Sequence, residues 1–343
     1  MPGPPGPPWG DELTGRLEQL TVRSELLAGN PLDDPAERPL YVYLPPGDWD
    51  RIPAIYLIQG MTGQLDMWFN RSAFEPTVIE RVDRTFSTDS VPPCAVVFVD
   101  AWTSYGGSQF INSVATGPYM DYLCDEVVPY VDERFATLAS RDHRGITGKS
   151  SGGYGAMVVP MLRPDVFGAL ASHAGDALFE ACYLKDFPQT ARTLRDHFDG
   201  SYDVFFEKLR AAETLDFGLH GAPLNTYAMA ACYSPDLDAP GKARLPFDID
   251  TGKLDDGIWA EWLGWDPVRM ARRHADALNS MKLIYLDAGK SDEYYLDLGA
   301  QAFAKELDAI GARHTLELFD GRHGGISYRY PLALEALALA LAP

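Results

Sequence analysis

One segment of the chain sets a serine among glycines at a spacing that could do chemistry: Gly148-Lys149-Ser150-Ser151-Gly152-Gly153-Tyr154-Gly155-Ala156. This Gly-X-Ser-X-Gly follows a short apolar run and precedes helical spacing. A tight strand-to-helix turn needs glycines because neighbouring backbone passes close to the serine, and its strain leaves the hydroxyl exposed above a sheet. The amide of Ser151, at the helix start, then points where an oxyanion would form. A serine hydroxyl is a weak nucleophile. It requires a histidine base, which in turn requires a carboxylate to fix its tautomer and stabilise its charged form. Sheets with such a turn deliver these groups in the chain order serine, acid, histidine. His323, in Phe319-Asp320-Gly321-Arg322-His323-Gly324-Gly325 directly after the last apolar run, is the expected base. Asp292, in Leu286-Asp287-Ala288-Gly289-Lys290-Ser291-Asp292-Glu293, is the expected acid, with Asp176 as its main rival and Glu293 and Asp287 as weaker ones. All four could also be turn or cap carboxylates. A second oxyanion donor is expected from the loop Gln59-Gly60-Met61-Thr62-Gly63, at the backbone amide of Met61.

The elements that must position these groups are legible as short branched and aromatic runs: LYVYL from Leu40, AIYLI from Ala54, CAVVFV from Cys94, MKLIYL from Met281 and TLELF from Thr315. They read as strands buried on both faces. Between them lie stretches of helical spacing, such as that from Tyr119, where Tyr122, Val127 and Val131 share a face and Pro129 is expected to kink the helix. The alternation implies an α/β fold with a mostly parallel, doubly wound sheet. From about residue 177 to 278 the alternation lapses into helical and loop sequence, which reads as a helical insertion over the carboxyl edge of the sheet. Residues 13–343 are then one domain with an insertion. Residues 1–12, rich in proline and glycine, read as a disordered tail. The stretch from Pro331 suits a terminal helix packed on the sheet.

Across 343 residues the formal net charge is −20, which repels phosphate backbones and anionic lipid surfaces and argues against nucleic-acid or membrane partners. Cys94, Cys124, Cys182 and Cys232 form no Cys-X-X-Cys pair and read as reduced, mostly buried thiols. No His-Glu-X-X-His is present, and Asp248-Ile249-Asp250-Thr251-Gly252 reads as a plain turn, so neither metal nor other cofactor is expected. With no basic start and apolar run at the N-terminus, a cytoplasmic location is expected.

At the same residues the chain resembles the putative-esterase family of α/β-hydrolases, which includes enterochelin esterases, S-formylglutathione hydrolases, feruloyl esterases and antigen 85 mycolyltransferases. The likeness runs from about Leu40. It rests on YVYLPPGD from Tyr41, YLIQGMTG from Tyr56, GPYMDYLCDEVVPYVDERF from Gly117, GKSSGGYGA from Gly148, RPDVFGA from Arg163, GKSDEYY from Gly289 and DGRHGG from Asp320. The resemblance implies an α/β-hydrolase fold, a Ser150 nucleophile, a His323 base, an Asp292 acid and oxyanion donors at Met61 and Ser151. Lys149 departs from the family pattern and is expected in solvent, the other reading being attraction of an anionic substrate group.

These readings converge on an ester hydrolase that works through an acyl-enzyme on a small or aromatic or sugar-linked ester. The alternatives are acyl transfer to a sugar or alcohol, and a non-catalytic binding protein that kept the fold. Aromatic side chains expected at the mouth as substrate contacts are Trp102, Tyr105, Trp259, Trp262 and Tyr294.

Overall fold

Runs that are apolar at every position can be accommodated only where a sheet is covered on both faces. In the computed structural model, which describes residues 12–72 and 74–343, such runs form the centre of an eight-stranded sheet. Its strands are β1 (Arg16–Arg23), β2 (Glu37–Leu44), β3 (Ala54–Ile58), β4 (Ala95–Val99), β5 (Arg144–Lys149), β6 (Ala169–His173), β7 (Leu283–Gly289) and β8 (Thr315–Phe319). They lie side by side as β1-β2-β4-β3-β5-β6-β7-β8. β2 runs antiparallel to β1 and β4, and β3 to β8 are parallel to one another. All but one residue of the expected proline-rich tail lies outside the described residues.

Two differences from the sequence reading follow from edge position. β1, RLEQLTVR, was not anticipated because it is mostly exposed, paired on one side only, and so needs few apolar residues. β8 is not buried on both faces: its side chains alternate between exposed and half-buried because no strand lies beyond it.

The helices pack in two layers. On one face lie α1 (Val78–Phe86), opened by a Thr77/Glu80 capping box, and the C-terminal helix α9 (Tyr330–Leu341). Gly145 lets α9 rest directly on β5, since a Cβ there would meet Leu341 Cδ1 at 2.9 Å. On the other face the stretch from Tyr119 does bury Tyr122, Val127 and Val131 together. Residues Tyr122–Val127 form a π-helical turn that runs into α2 (Val128–Arg134), with Pro129 in the first turn of α2. A wide turn absorbs the amide that proline lacks. The same face holds α3 (Ser151–Leu162) and, between β6 and β7, the helices α4 (Asp186–His197), α5 (Tyr202–Ala211), α6 (Phe217–Tyr233) and α7 (Asp256–Gly264), followed after β7 by α8 (Leu296–Ile310). Phe187, Phe205, Tyr233 and Trp262 of these inserted helices belong to the same apolar cluster as Ile58, Ile146 and Tyr154.

The parallel register aligns Ile58 with Gly148, Gly148 with Ser172, and His173 with Asp287, so the carboxyl ends of β3, β5, β6 and β7 form one edge. Beneath that edge, the fully buried Asp287 accepts a hydrogen bond from Arg329 Nε at 2.9 Å and lies 2.7 Å from His173 Nδ1. Arg329 Nη2 also reaches Tyr285 Oη at 2.9 Å and Glu317 at 2.6 Å, tying the start of α9 to β7 and β8. Removing one partner of a buried ion pair strands the other charge. Arg329→Met is therefore expected to cost about 3–5 kcal/mol in urea unfolding. A loss below about 1 kcal/mol would mean that this network does not hold the edge together.

Candidate active site

Ser150 stands between β5 and α3 at φ 59° and ψ −126°, a conformation that L-residues other than glycine rarely adopt. Such a residue stores on the order of 1–3 kcal/mol, held by its surroundings. The surroundings here are glycines. A Cβ at Gly148 would meet the carbonyl carbon of Gly152 and the Ile58 oxygen at 2.6 Å, and one at Gly152 would meet the Ile58 oxygen at 2.4 Å. The turn is fixed from both sides: Ser150 N donates to His173 O at 3.0 Å, and Tyr154 N donates to Ser150 O at 2.8 Å.

The loops after β7 and β8 bring the other two groups to this serine. A Cβ at Gly289 would lie 2.6 Å from Gly321 backbone atoms, Lys290 N donates to Phe319 O at 2.9 Å, and Ser291 N donates to Gly321 O at 2.9 Å. The two loops thus move as one piece. His323 Nε2 lies 3.2 Å from Ser150 Oγ, and His323 Nδ1 lies 2.8 Å from Asp292 Oδ2. The other oxygen of Asp292 accepts from Tyr294 N at 2.8 Å. Among the rival acids, Asp176 accepts from Tyr183 Oη at 2.9 Å and Gln109 Nε2 at 3.2 Å, and burial pushes its carboxyl above the usual range. Asp287 is committed to Arg329. Glu293 binds the His323 amide at 2.9 Å and Arg322 Nε at 2.6 Å, so it braces the loop rather than the ring.

After β3, Thr62 adopts φ 61°, its amide donates to Gly106 O at 2.7 Å, and Gly63 N donates to Gly60 O at 3.1 Å. The amide of Met61, immediately before Thr62, has no acceptor among the described residues, and neither has that of Ser151 in the first turn of α3. Ser150, Ser151, Met61 and His323 share the wall of a cavity of about 500 Å³. Phe217, Leu224 and Asn225 of α6 supply part of the remaining wall. Among the described residues no cluster of histidine, cysteine or acidic side chains could hold a metal ion, and no helix is long and apolar enough to cross a membrane.

A family model described as "Putative esterase" matches residues 35–324. The chain belongs to the putative esterase family. It is 28% identical over 207 residues to an uncharacterized protein of Corynebacterium glutamicum, a match covering 58% of this chain and 45% of that one. It is 24% identical over 157 residues to an endo-1,4-beta-xylanase/feruloyl esterase of Xylanibacter ruminicola, covering 46% of this chain and 19% of that one. The matches therefore span less than half of these two relatives. Among solved structures, a ferulic acid esterase superposes with a TM-score of 0.60 at 15% identity, covering 96% of this chain and all of that one. An S-formylglutathione hydrolase of Agrobacterium tumefaciens superposes at 0.57 with 15% identity, covering 97% and 98%. At these identities the likeness is one of fold, and the fold is the α/β-hydrolase fold.

Of the five aromatic residues expected at the mouth, one lies in the cavity wall. Tyr294 lines the cavity, its ring 4.8 Å from that of His323 in an edge-on arrangement. Trp102, Tyr105, Trp259 and Trp262 do not line it. Tyr105 is buried against Phe206 and Tyr227, with its hydroxyl donating to Gly241 O at 2.7 Å. Trp259 and Trp262 pack on Phe187, and Trp262 Nε1 donates to Ser234 Oγ at 2.8 Å. Trp102 is half-buried, and its carbonyl accepts from Arg38 Nη1 at 3.0 Å. Lys149 also departs from expectation: it lies in the cavity wall, not in solvent. Burial pulls its amine below the ordinary lysine range, while Asp292, Glu293 and Asp176 act in the opposite direction. The α6 wall was not foreseen, because FGLHGAPLN carries no periodicity or motif that marks a lining face. Trp262→Ala is expected to cost about 3–5 kcal/mol of stability. Tyr294→Ala should instead change kcat/KM while its melting temperature stays within a few degrees of wild type. Thermal unfolding alongside steady-state kinetics checks both, and the reverse pattern would exchange the two roles.

Proposed function

We propose that this protein is a serine carboxylic-ester hydrolase acting through an acyl-enzyme on Ser150. The observation that carries the reading is the continuous contact from Ser150 Oγ through His323 to Asp292, at 3.2 and 2.8 Å, on a strained strand-to-helix turn. Ser150 Oγ attacks the ester carbonyl while His323 Nε2 takes its proton. Asp292, already bonded to the Tyr294 amide, stabilises the imidazolium on the far side of the ring. The unpaired amides of Met61 and Ser151 receive the negative charge that develops on the carbonyl oxygen. Collapse of the tetrahedral intermediate expels the alcohol, protonated by His323, and water activated by the same ring releases the acid.

A cavity of about 500 Å³ with Tyr294, Tyr330 and Phe217 on its wall suits a small ester, including one linked to an aryl or sugar group. The feruloyl and ferulic acid esterases among the similar proteins are compatible with the aryl case. Ser150→Ala is expected to lower turnover of p-nitrophenyl esters by roughly six orders of magnitude and to abolish fluorophosphonate labelling. Full activity in that variant would remove the mechanism, and an alcohol acceptor in the same assay separates hydrolysis from acyl transfer by its products.

A further inference from the structure

Three acids close to Lys149 are held by other partners. Asp292 is engaged by His323 and the Tyr294 amide, Glu293 by Arg322 and the His323 amide, and Asp176 by Tyr183 and Gln109. Lys185, a second lysine near Tyr294, donates to Glu293 O at 2.5 Å and lies over the Tyr294 and Tyr295 rings. Lys149 brings three donors. Among the described residues it has no hydrogen-bond, ion-pair or aromatic partner, although it lines the same cavity as Ser150 and His323.

A lysine on a protein surface lays its stem on apolar neighbours and keeps the ammonium in water. Here the side chain is half-buried in the wall, where an aliphatic residue would line the cavity without any desolvation cost. It shares the wall of this cavity with Ser150 and His323, so an anion it binds there lies in the same cavity as the scissile carbonyl. We infer that Lys149 is the anion-recognition group of this cavity, and that the preferred esters carry a carboxylate a few bonds from the carbonyl attacked by Ser150. This rests on the esterase reading above. A single negative charge is the fitting one. Asp176 and Asp186 also line the cavity, and with Asp292 and Glu293 close by they would repel a doubly charged phosphate more strongly than a carboxylate.

The competing account is that Lys149 only offsets the field of those acids, in which case its loss affects charged and neutral substrates alike. The discriminating quantity is therefore a ratio. p-Nitrophenyl hemisuccinate against p-nitrophenyl butyrate places the carboxylate on the acyl side, and 4-carboxyphenyl acetate against phenyl acetate places it on the alcohol side. In at least one pair, the anionic-to-neutral ratio of kcat/KM should fall roughly tenfold or more in Lys149→Met and Lys149→Gln. In the wild type the same ratio should shrink as salt is raised from about 0.05 to about 0.5 M. Both members of a pair are read on one preparation, so a misfolded fraction cancels. Ratios that are equal in wild type and in both variants overturn the inference while leaving a Ser150-dependent esterase intact. Absence of any Ser150-dependent turnover or labelling in the wild type overturns the esterase reading and this inference with it.

Discussion

Helix α3 reaches the ends of β3 and β5 at a separation that only a Cα without a side chain permits. With Ile58 O 2.4 Å from where a Gly152 Cβ would be, and with Gly148 as tightly enclosed, the chain has no room to relax Ser150 out of its positive φ. Packing against two strand ends therefore holds the strain that exposes the hydroxyl. The same closeness leaves the Ser151 amide at the open end of the helix, beside the serine and facing the cavity. A single backbone approach thus sets the position of the Ser150 hydroxyl and of the Ser151 amide, and the sheet register then determines what stands opposite them.

What stands opposite comes from loops whose positions are mutually dependent. The Gly289 and Gly321 contact and the two backbone bonds between the loops after β7 and β8 make Asp292 and His323 parts of one surface. Glu293 adds a brace from the His323 amide and Arg322. Asp292 and His323 are hence held together by backbone contacts that involve no substrate. The helices between β6 and β7 contribute differently. They close the cavity with α6 and spend their aromatic residues on packing, so Trp259 and Trp262 lie away from the wall while Lys149 and Tyr294 line it.

The central strands were legible because residues buried on both faces must be apolar at every position, and AIYLI and AVVFV satisfy that constraint. Ser150, Asp292 and His323 were legible because a tight turn, a strand-exit loop and a chain order leave marks in glycine spacing. β1 left no such mark, since an exposed edge strand is held mainly by backbone hydrogen bonds. The choice among the four candidate acids needed three dimensions: Asp292 meets the histidine beside Ser150, whereas Asp287 meets His173 and a buried arginine beneath the sheet edge, and packing across the sheet decides which. The tryptophans misled for a related reason. An aromatic residue in an insertion has the same composition signal whether it lines a cavity or fills the core, and here Trp259 and Trp262 join the apolar cluster that covers the sheet.

Beneath the site, stability and chemistry share atoms. The His173 backbone accepts the Ser150 amide, its ring meets Asp287, and Asp287 in turn is held by Arg329 at the foot of α9. Tyr330, the next residue, packs edge-on to the His173 ring at 4.9 Å and reaches the cavity wall. A buried carboxylate near the end of β7 would be costly unless charge-paired, and it also meets the ring of His173, whose carbonyl accepts the Ser150 amide. The terminal helix therefore does more than cover apolar surface: the residue at its N-cap, Arg329, pairs with the carboxylate that meets the His173 ring.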